Sequence, residues 1–208
     1  MVQLPRNARK GEIENDDEND KGKSELTMAT NEYSALTCYR NVFREMLRIR
    51  NPTRVENDSP DYARILISEL LRSAQSEVWI YCDGLKPDVW DDSDVMRELD
   101  AAINRRVRFH VIVQDTPSAD GTAAQRLRAA NVPLQGTRQK IGQNFMVVDS
   151  RAYRFETDTA QRRGYASAYS PNNAAQLVQA FNDLAVERPV AASPSEKKAE
   201  AGADGSAV

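Results

Sequence analysis

The sequence predicts an α/β fold: a mixed sheet flanked by helices, with a helical extension on its N-terminal side. Three observations lead there. The spacing of apolar residues switches along the chain between a period near 3.6 and short continuous runs. The strongest runs, Arg106 to Gln114 (RVRFHVIVQ) and Asn144 to Val148 (NFMVV), are nearly all apolar at their centres, as strands covered on both faces are. Amphipathic helices separate the early strands, while the late strands follow one another across tight turns, so parallel and antiparallel pairings are both expected.

Asn31 to Arg50 places Leu36, Tyr39, Phe43, Met46 and Leu47 at helical spacing, and Asn51-Pro52 ends it. Ser59-Pro60 then opens a second helix, Ser59 suiting the cap and Pro60 the first turn. Its apolar face is Tyr62, Ile65, Leu66, Leu70 and Ala74. Glu77 to Cys82 (EVWIYC) is β-branched and aromatic, a strand. Asp92 or Ser93 caps a helix bearing Val95, Met96, Leu99, Ala102 and Ile103. After the strand at 106–114 comes a helix over Ala119 to Ala130, then a short strand at Val132 to Gly136. Asn144 to Val148 pairs with Ala152 to Phe155 across Asp149-Ser150-Arg151, Tyr165 to Ala168 forms an edge strand, and Pro171 opens a final helix. No internal repeat is visible.

Charge divides the chain. Residues 1–28 are rich in acid, with six carboxylates and no cation between Glu12 and Asp20, and almost no apolar area to bury; they read as a disordered tail. Residues 191–208 read the same way. Residues 29–58 are expected to be the helical extension and 59–190 the α/β domain. Between the tails the chain is neutral, and its cations are 19 Arg and two Lys, Lys86 and Lys140.

Composition excludes several chemistries. One His, His110, cannot supply a site that needs two imidazoles, and two Cys cannot supply a disulfide scaffold or a Cys-rich zinc centre. No apolar run approaches the ~18 residues of a membrane span, and no apolar signal core follows Met1. A cytoplasmic protein without membrane contact is expected. Asp83, Asp88, Asp91, Asp92 and Asp94 crowd one strand-to-helix connection; turn and N-cap chemistry explains them better than a cation site, so no metal and no cofactor are expected. Trp90 in that connection reads as core, Cys38 and Cys82 as small buried residues, and His110 as a satisfied sheet histidine.

From Ile65 to Glu187 the order LISELLRSAQSEVWIYCDGL, VRFHVIVQD, NFMVVDSRAYRFE and NNAAQLVQAFNDLA resembles a phospholipase D-like domain, most of all the short bacterial single-domain relatives that keep the fold and lose its signature. In that superfamily a strand carries His-x-Lys-x4-Asp. Here Asp149 stands at the Asp position, Asn144 at the Lys position and Gly142 at the His position. The family reaction needs His as nucleophile and Lys to neutralise the phosphate. Gly142 cannot attack and Asn144 carries no charge, so the resemblance implies a fold without catalysis, and no catalytic residue is assigned.

What remains is binding. Arg40, Arg44 and Arg48 fall on one helix face, where like charges repel and a persistent stripe points to an anionic ligand. Arg105, Arg106, Arg138 and Lys140 are the further candidates for contact with phosphate or nucleic acid, acting as backbone clamps, with Tyr153, Tyr165 and Tyr169 available to stack bases. A competing expectation simply pairs these arginines with the many carboxylates of a net-neutral body. The alternative function is an interaction scaffold, a homodimer or a subunit of a complex, docking through helix 31–50.

Overall fold

The computed structural model describes residues 35–114, 121–137 and 141–186. Among them, the elements in chain order are helix α1 (35–49), β1 (Arg54–Asn57), α2 (Pro60–Ser73), β2 (Glu77–Cys82), α3 (Pro87–Trp90), α4 (Ser93–Asn104), β3 (Arg108–Val113), α5 (Thr122–Ala129), β4 (Leu134–Gly136), β5 (Asn144–Val148), β6 (Ala152–Asp158), β7 (Arg163–Ser167) and α6 (Pro171–Val186).

The seven strands form one mixed sheet in the order β1-β7-β6-β5-β2-β3-β4. β2 lies at the change of direction, parallel to β3 (Tyr81 opposite Ile112) and antiparallel to β5 (Ile80 opposite Met146). The strands bearing Val78, Arg108–Val113 and Phe145 are therefore neighbours in one sheet, with both parallel and antiparallel pairing as expected. Helices α1 to α5 cover one face, where Phe43, Leu66, Leu70, Val78, Ile80, Leu99, Val111, Leu127, Met146 and Val148 make the larger core. α6 alone among the described helices covers the other, over Tyr81, Ile112, Phe145, Val147 and Tyr153.

Local chemistry explains the joints. Asp92 caps α4 by accepting from Asp94 N (2.9 Å) and Val95 N (3.2 Å). Asp91 performs the same service for α5, accepting from Thr122 N and Ala123 N (2.9 and 3.0 Å). Pro60 opens α2 as expected, but the Ser59 side chain makes no capping bond. Asp149 and Ser150 adopt φ 48° and 52° in the tight β5–β6 turn closed by Arg151 N–H to Val148 C=O (3.1 Å). At Gly164 a side chain is sterically forbidden: a Cβ would press on the Phe155 carbonyl and lie 2.8 Å from Glu156 Cα.

Three expectations need correction. Residues 29–58 do not form a purely helical extension: α1 buries Phe43 and Met46 in the main core, and Arg54–Asn57 pairs antiparallel with β7 as an edge strand. β1 escaped notice because it is four residues long with one apolar side chain, Val55. α3 is an unforeseen single turn that buries Val89 and Trp90. Cys38 is exposed, whereas Cys82 is buried, and burial pushes its thiol up to about 12. The tails at 1–28 and 191–208 lie outside the described residues.

Replacing Gly164 by Ala forces β6 and β7 apart beside Glu156. The expected loss is about 1–3 kcal/mol of stability, measured by urea denaturation.

Candidate functional site

Parallel sheets offer ligands the carboxyl ends of their strands, at the point where strand order reverses. In this chain that point is the end of β2, between β3 and β5. Cross-strand register brings Asn144 of β5 opposite Glu156 of β6, and Met146 opposite Arg154. Because Arg154 and Glu156 are two apart on one strand, both face the α2 side. There they are buried, with side-chain exposures of 5% and 4%.

The polar groups at this end bond to one another. Arg154 Nη1 meets Glu156 Oε2 at 2.7 Å, and Arg154 Nε donates to Asn57 Oδ1 of β1 at 3.3 Å. Asn144 Nδ2 donates to Glu156 Oε1 at 2.9 Å and to Asp83 Oδ1 at 3.3 Å. Arg162, in the β6–β7 turn, holds Asp88 through Nε and Nη2 (3.0 and 3.2 Å) and reaches Glu156 Oε1 with Nη1 at 3.4 Å. The Arg162 backbone is left-handed (φ 57°), and its carbonyl accepts from Arg154 Nη2 (3.1 Å) and Asn57 Nδ2. Burial pushes the Arg154 guanidinium below its ordinary range, with Glu156 opposing the shift.

A cavity of about 30 Å³ remains, lined by Asn144, Arg154, Glu156, Arg162, Asp83, Lys86, Tyr81 and Trp90. That is water-sized. Asn144 Oδ1 is buried there without a hydrogen-bond partner. The residues at the three resembled signature positions are separated in role. Asn144 belongs to this cage. Gly142 sits at φ 67° with open space where a Cβ would be. Asp149 lies at the opposite end of the sheet, where its carboxylate accepts from the backbone of Gln75, Ser76 and Glu77 and from Ser76 Oγ (2.8 Å). Burial alone would raise Asp149, but these donors hold it below the usual carboxylate range.

That opposite end, where β2 and β3 begin and α2 finishes, gathers arginines. Glu69 of α2 is buried (2% exposed) beneath two half-exposed guanidinia: Arg44 Nε and Nη2 at 2.9 and 2.6 Å, and Arg72 Nη1 at 3.3 Å. Arg44, Arg48, Arg72 and Arg151 line one groove of about 430 Å³ together with Glu45 and Glu69. Arg105 completes the end of α2, donating to Leu71 O at 2.8 Å; Arg106 (φ 63°) is exposed beside it, and Arg108 faces Glu77 at 3.5 Å.

The predicted candidates divide accordingly. Arg44, Arg48, Arg105 and Arg106 come together at this end. Glu45 opposes the α1 stripe by pairing with Arg48, and Glu69, which the spacing on α1 does not reveal, clamps Arg44. Arg40 points elsewhere, to Asp94 at 2.6 Å. Arg138 and Lys140 lie outside the described residues. Arg72 and Arg151 were missed because nothing in the sequence ties residues 44, 72 and 151 together. Tyr153 is buried under α6 and is unavailable for stacking; Tyr165 packs on Phe155 with Arg54 above it. His110 stacks on Trp79 at 3.8 Å, and burial lowers its pKa. The aspartates of 83–94 serve as caps and as partners for Arg40, Arg97 and Arg162. Among the described residues no three His, Cys, Asp or Glu converge as metal ligands, and no helix is long and apolar enough to cross a membrane.

Two outcomes are expected. Glu156→Gln strands a buried guanidinium and lowers stability by about 3–5 kcal/mol in urea titrations. Asp149→Asn weakens charge-assisted bonds and costs about 1–3 kcal/mol at neutral pH. Because the folded-state pKa of Asp149 lies below the unfolded value of ~3.9, its contribution is present above that pH and fades as pH falls below it. The gap between wild type and Asp149→Asn therefore narrows in acid, as parallel denaturations at neutral and acid pH would show.

Among solved structures, the chain is similar to Nuc from Salmonella typhimurium, a phospholipase D family member, at 18% identity over 64% of this chain and 94% of that one, with a TM-score of 0.49. It is also similar to TrmBL2, an archaeal chromatin protein whose structure is described as showing a novel mode of DNA binding, at 16% identity and a TM-score of 0.49, over 80% of this chain and 64% of that one. No curated protein sequence matches. Residues 59–186, from the cap of α2 to the end of α6, match the family model described as "Domain of unknown function (DUF7931)", and the chain belongs to that family.

Proposed function

We propose that this protein is a non-catalytic domain that binds the phosphate backbone of nucleic acid through the arginine groove where α2 ends and β2 begins. The observation that supports this reading is the Glu69 clamp. One buried carboxylate holds Arg44 and Arg72 side by side, each still 42–47% exposed, and Arg48 and Arg151 flank them. Fixed guanidinia suit phosphate oxygens. Contact with phosphates alone gives affinity without sequence preference.

The carboxyl end of β2 is a poor place for phosphoryl transfer. A phosphate there would meet Asp83, Asp88 and Glu156, and the arginines it needs, Arg154 and Arg162, are largely buried as well as paired with those carboxylates. Gly142 offers no nucleophile, and the Asn144 amide already donates to carboxylates.

A second reading, a protein-docking scaffold, draws on α1, whose outward face leaves Val42 and Ile49 half exposed, seven residues apart.

Fluorescence polarisation with labelled single- and double-stranded oligonucleotides tests the first. Binding should weaken steeply with salt. Combining Arg48→Ala, Arg108→Ala and Arg151→Ala should cut the log–log salt slope by about 2–3, at ~0.7–0.9 per lost phosphate contact. Lys86→Ala, at the far end of the sheet, should leave it unchanged. Absence of binding at low salt, or an unaltered slope in the triple variant, overturns the proposal. A mass above monomer in light scattering that falls on Val42→Asp favours the scaffold instead.

A further inference from the structure

We infer that, in the absence of nucleic acid, the arginine groove is occupied by the chain's own acidic segment, residues 12–20. This rests on the groove proposed above as the anion site. Three observations converge on it. The groove keeps an excess of cations: Arg44, Arg48, Arg72 and Arg151 stand against Glu45, Glu69 and Asp149, the last paired with Arg151 at 3.2 Å. The segment Glu12 to Asp20 holds Glu12, Glu14, Asp16, Asp17, Glu18 and Asp20 with no Lys or Arg among them. Finally, the geometry permits return. α1 is described from residue 35, and Arg44 and Arg48 lie 9 and 13 residues further on, about 14–20 Å along the axis. The 14 residues from 21 to 34 span up to ~50 Å when extended, so the segment reaches the groove on its own chain.

Carboxylates present the same planar acceptor pair to a guanidinium that phosphate oxygens do, so segment and nucleic acid compete for the same donors. Each exposed pair is weak and salt-screened. Tethering compensates, because a chain of this length holds the segment at a millimolar effective concentration. The segment thereby works as a threshold: dense phosphate arrays displace it, and isolated anions do not.

The test compares the full chain with a full-length variant in which Glu12, Glu14 and Glu18 become Gln and Asp16, Asp17 and Asp20 become Asn. Without nucleic acid, the side-chain Nε–Hε resonances of Arg48, Arg72 and Arg151 should differ between the two chains at low salt and converge at high salt, while that of Arg162 stays put. The variant should bind a labelled oligonucleotide about tenfold more tightly at low salt, with the gain vanishing as salt rises. Coincident groove resonances at low salt overturn the inference, whatever the affinity for nucleic acid. Differences that grow with protein concentration also overturn it, since they assign the segment to a neighbouring copy. If the resonances differ but neither chain binds nucleic acid, the nucleic-acid reading falls and the docking stands.

Discussion

A single buried ion pair, Arg154 with Glu156, organises one end of this molecule. A guanidinium and a carboxylate taken out of water must satisfy each other and their remaining donors and acceptors, or the fold loses several kcal/mol. Here the demand draws in neighbours. Asn57 from β1, Asn144 from β5, Asp83 after β2, and Arg162 with its own partner Asp88 from α3 all enter one network. The pair thus ties the edge strand, the central strands and the first helical turn after β2. It also accounts for the Gly164 constraint, because that glycine lets β7 pass close enough to hold Glu156 in register.

The two ends of the sheet have opposite chemistry. At the carboxyl end of β2, cations and carboxylates are matched, buried and mutually bonded around a water-sized space. At the other end, arginines gather around two buried carboxylates, Glu69 and Asp149, which they outnumber, and stay largely open to solvent. The same residue type therefore plays two roles, set by burial. Arg154 at 5% side-chain exposure is a structural cross-link, whereas Arg48 at 71% has no such commitment beyond Glu45, its neighbour on the same helix. The proposed binding surface is the end where arginines outnumber their carboxylate partners and remain exposed.

Much of the fold was legible in the sequence. Strands Arg108–Val113 and Asn144–Val148 are covered on both faces, and their largely apolar runs, Val111–Val113 and Phe145–Val148, announce it. β1 was not legible: Arg54–Asn57 forms only because β7 offers a free edge, and edge pairing needs backbone rather than side chains. The cage was hidden for a related reason. In AYRFETD, Arg154 and Glu156 alternate with Tyr153 and Phe155, a pattern that normally puts charge on the wet side. This sheet has helices on both faces, so the charged side faces α2 and becomes interior. The stripe at Arg40, Arg44 and Arg48 was visible as a spacing, but Asp94 and Glu69 lie 54 and 25 residues away from their partners Arg40 and Arg44, so only the tertiary fold reveals which guanidinia are committed.

The division of labour between the two ends is tested most directly by photo-crosslinking the full chain to a single-stranded oligonucleotide and locating the attached peptides by mass spectrometry. The predicted attachments fall in 44–48, around Arg72, in 105–108 and at 149–151. Attachments concentrated at 83–90 and 154–162, around the buried Arg154–Glu156 pair, would contradict it.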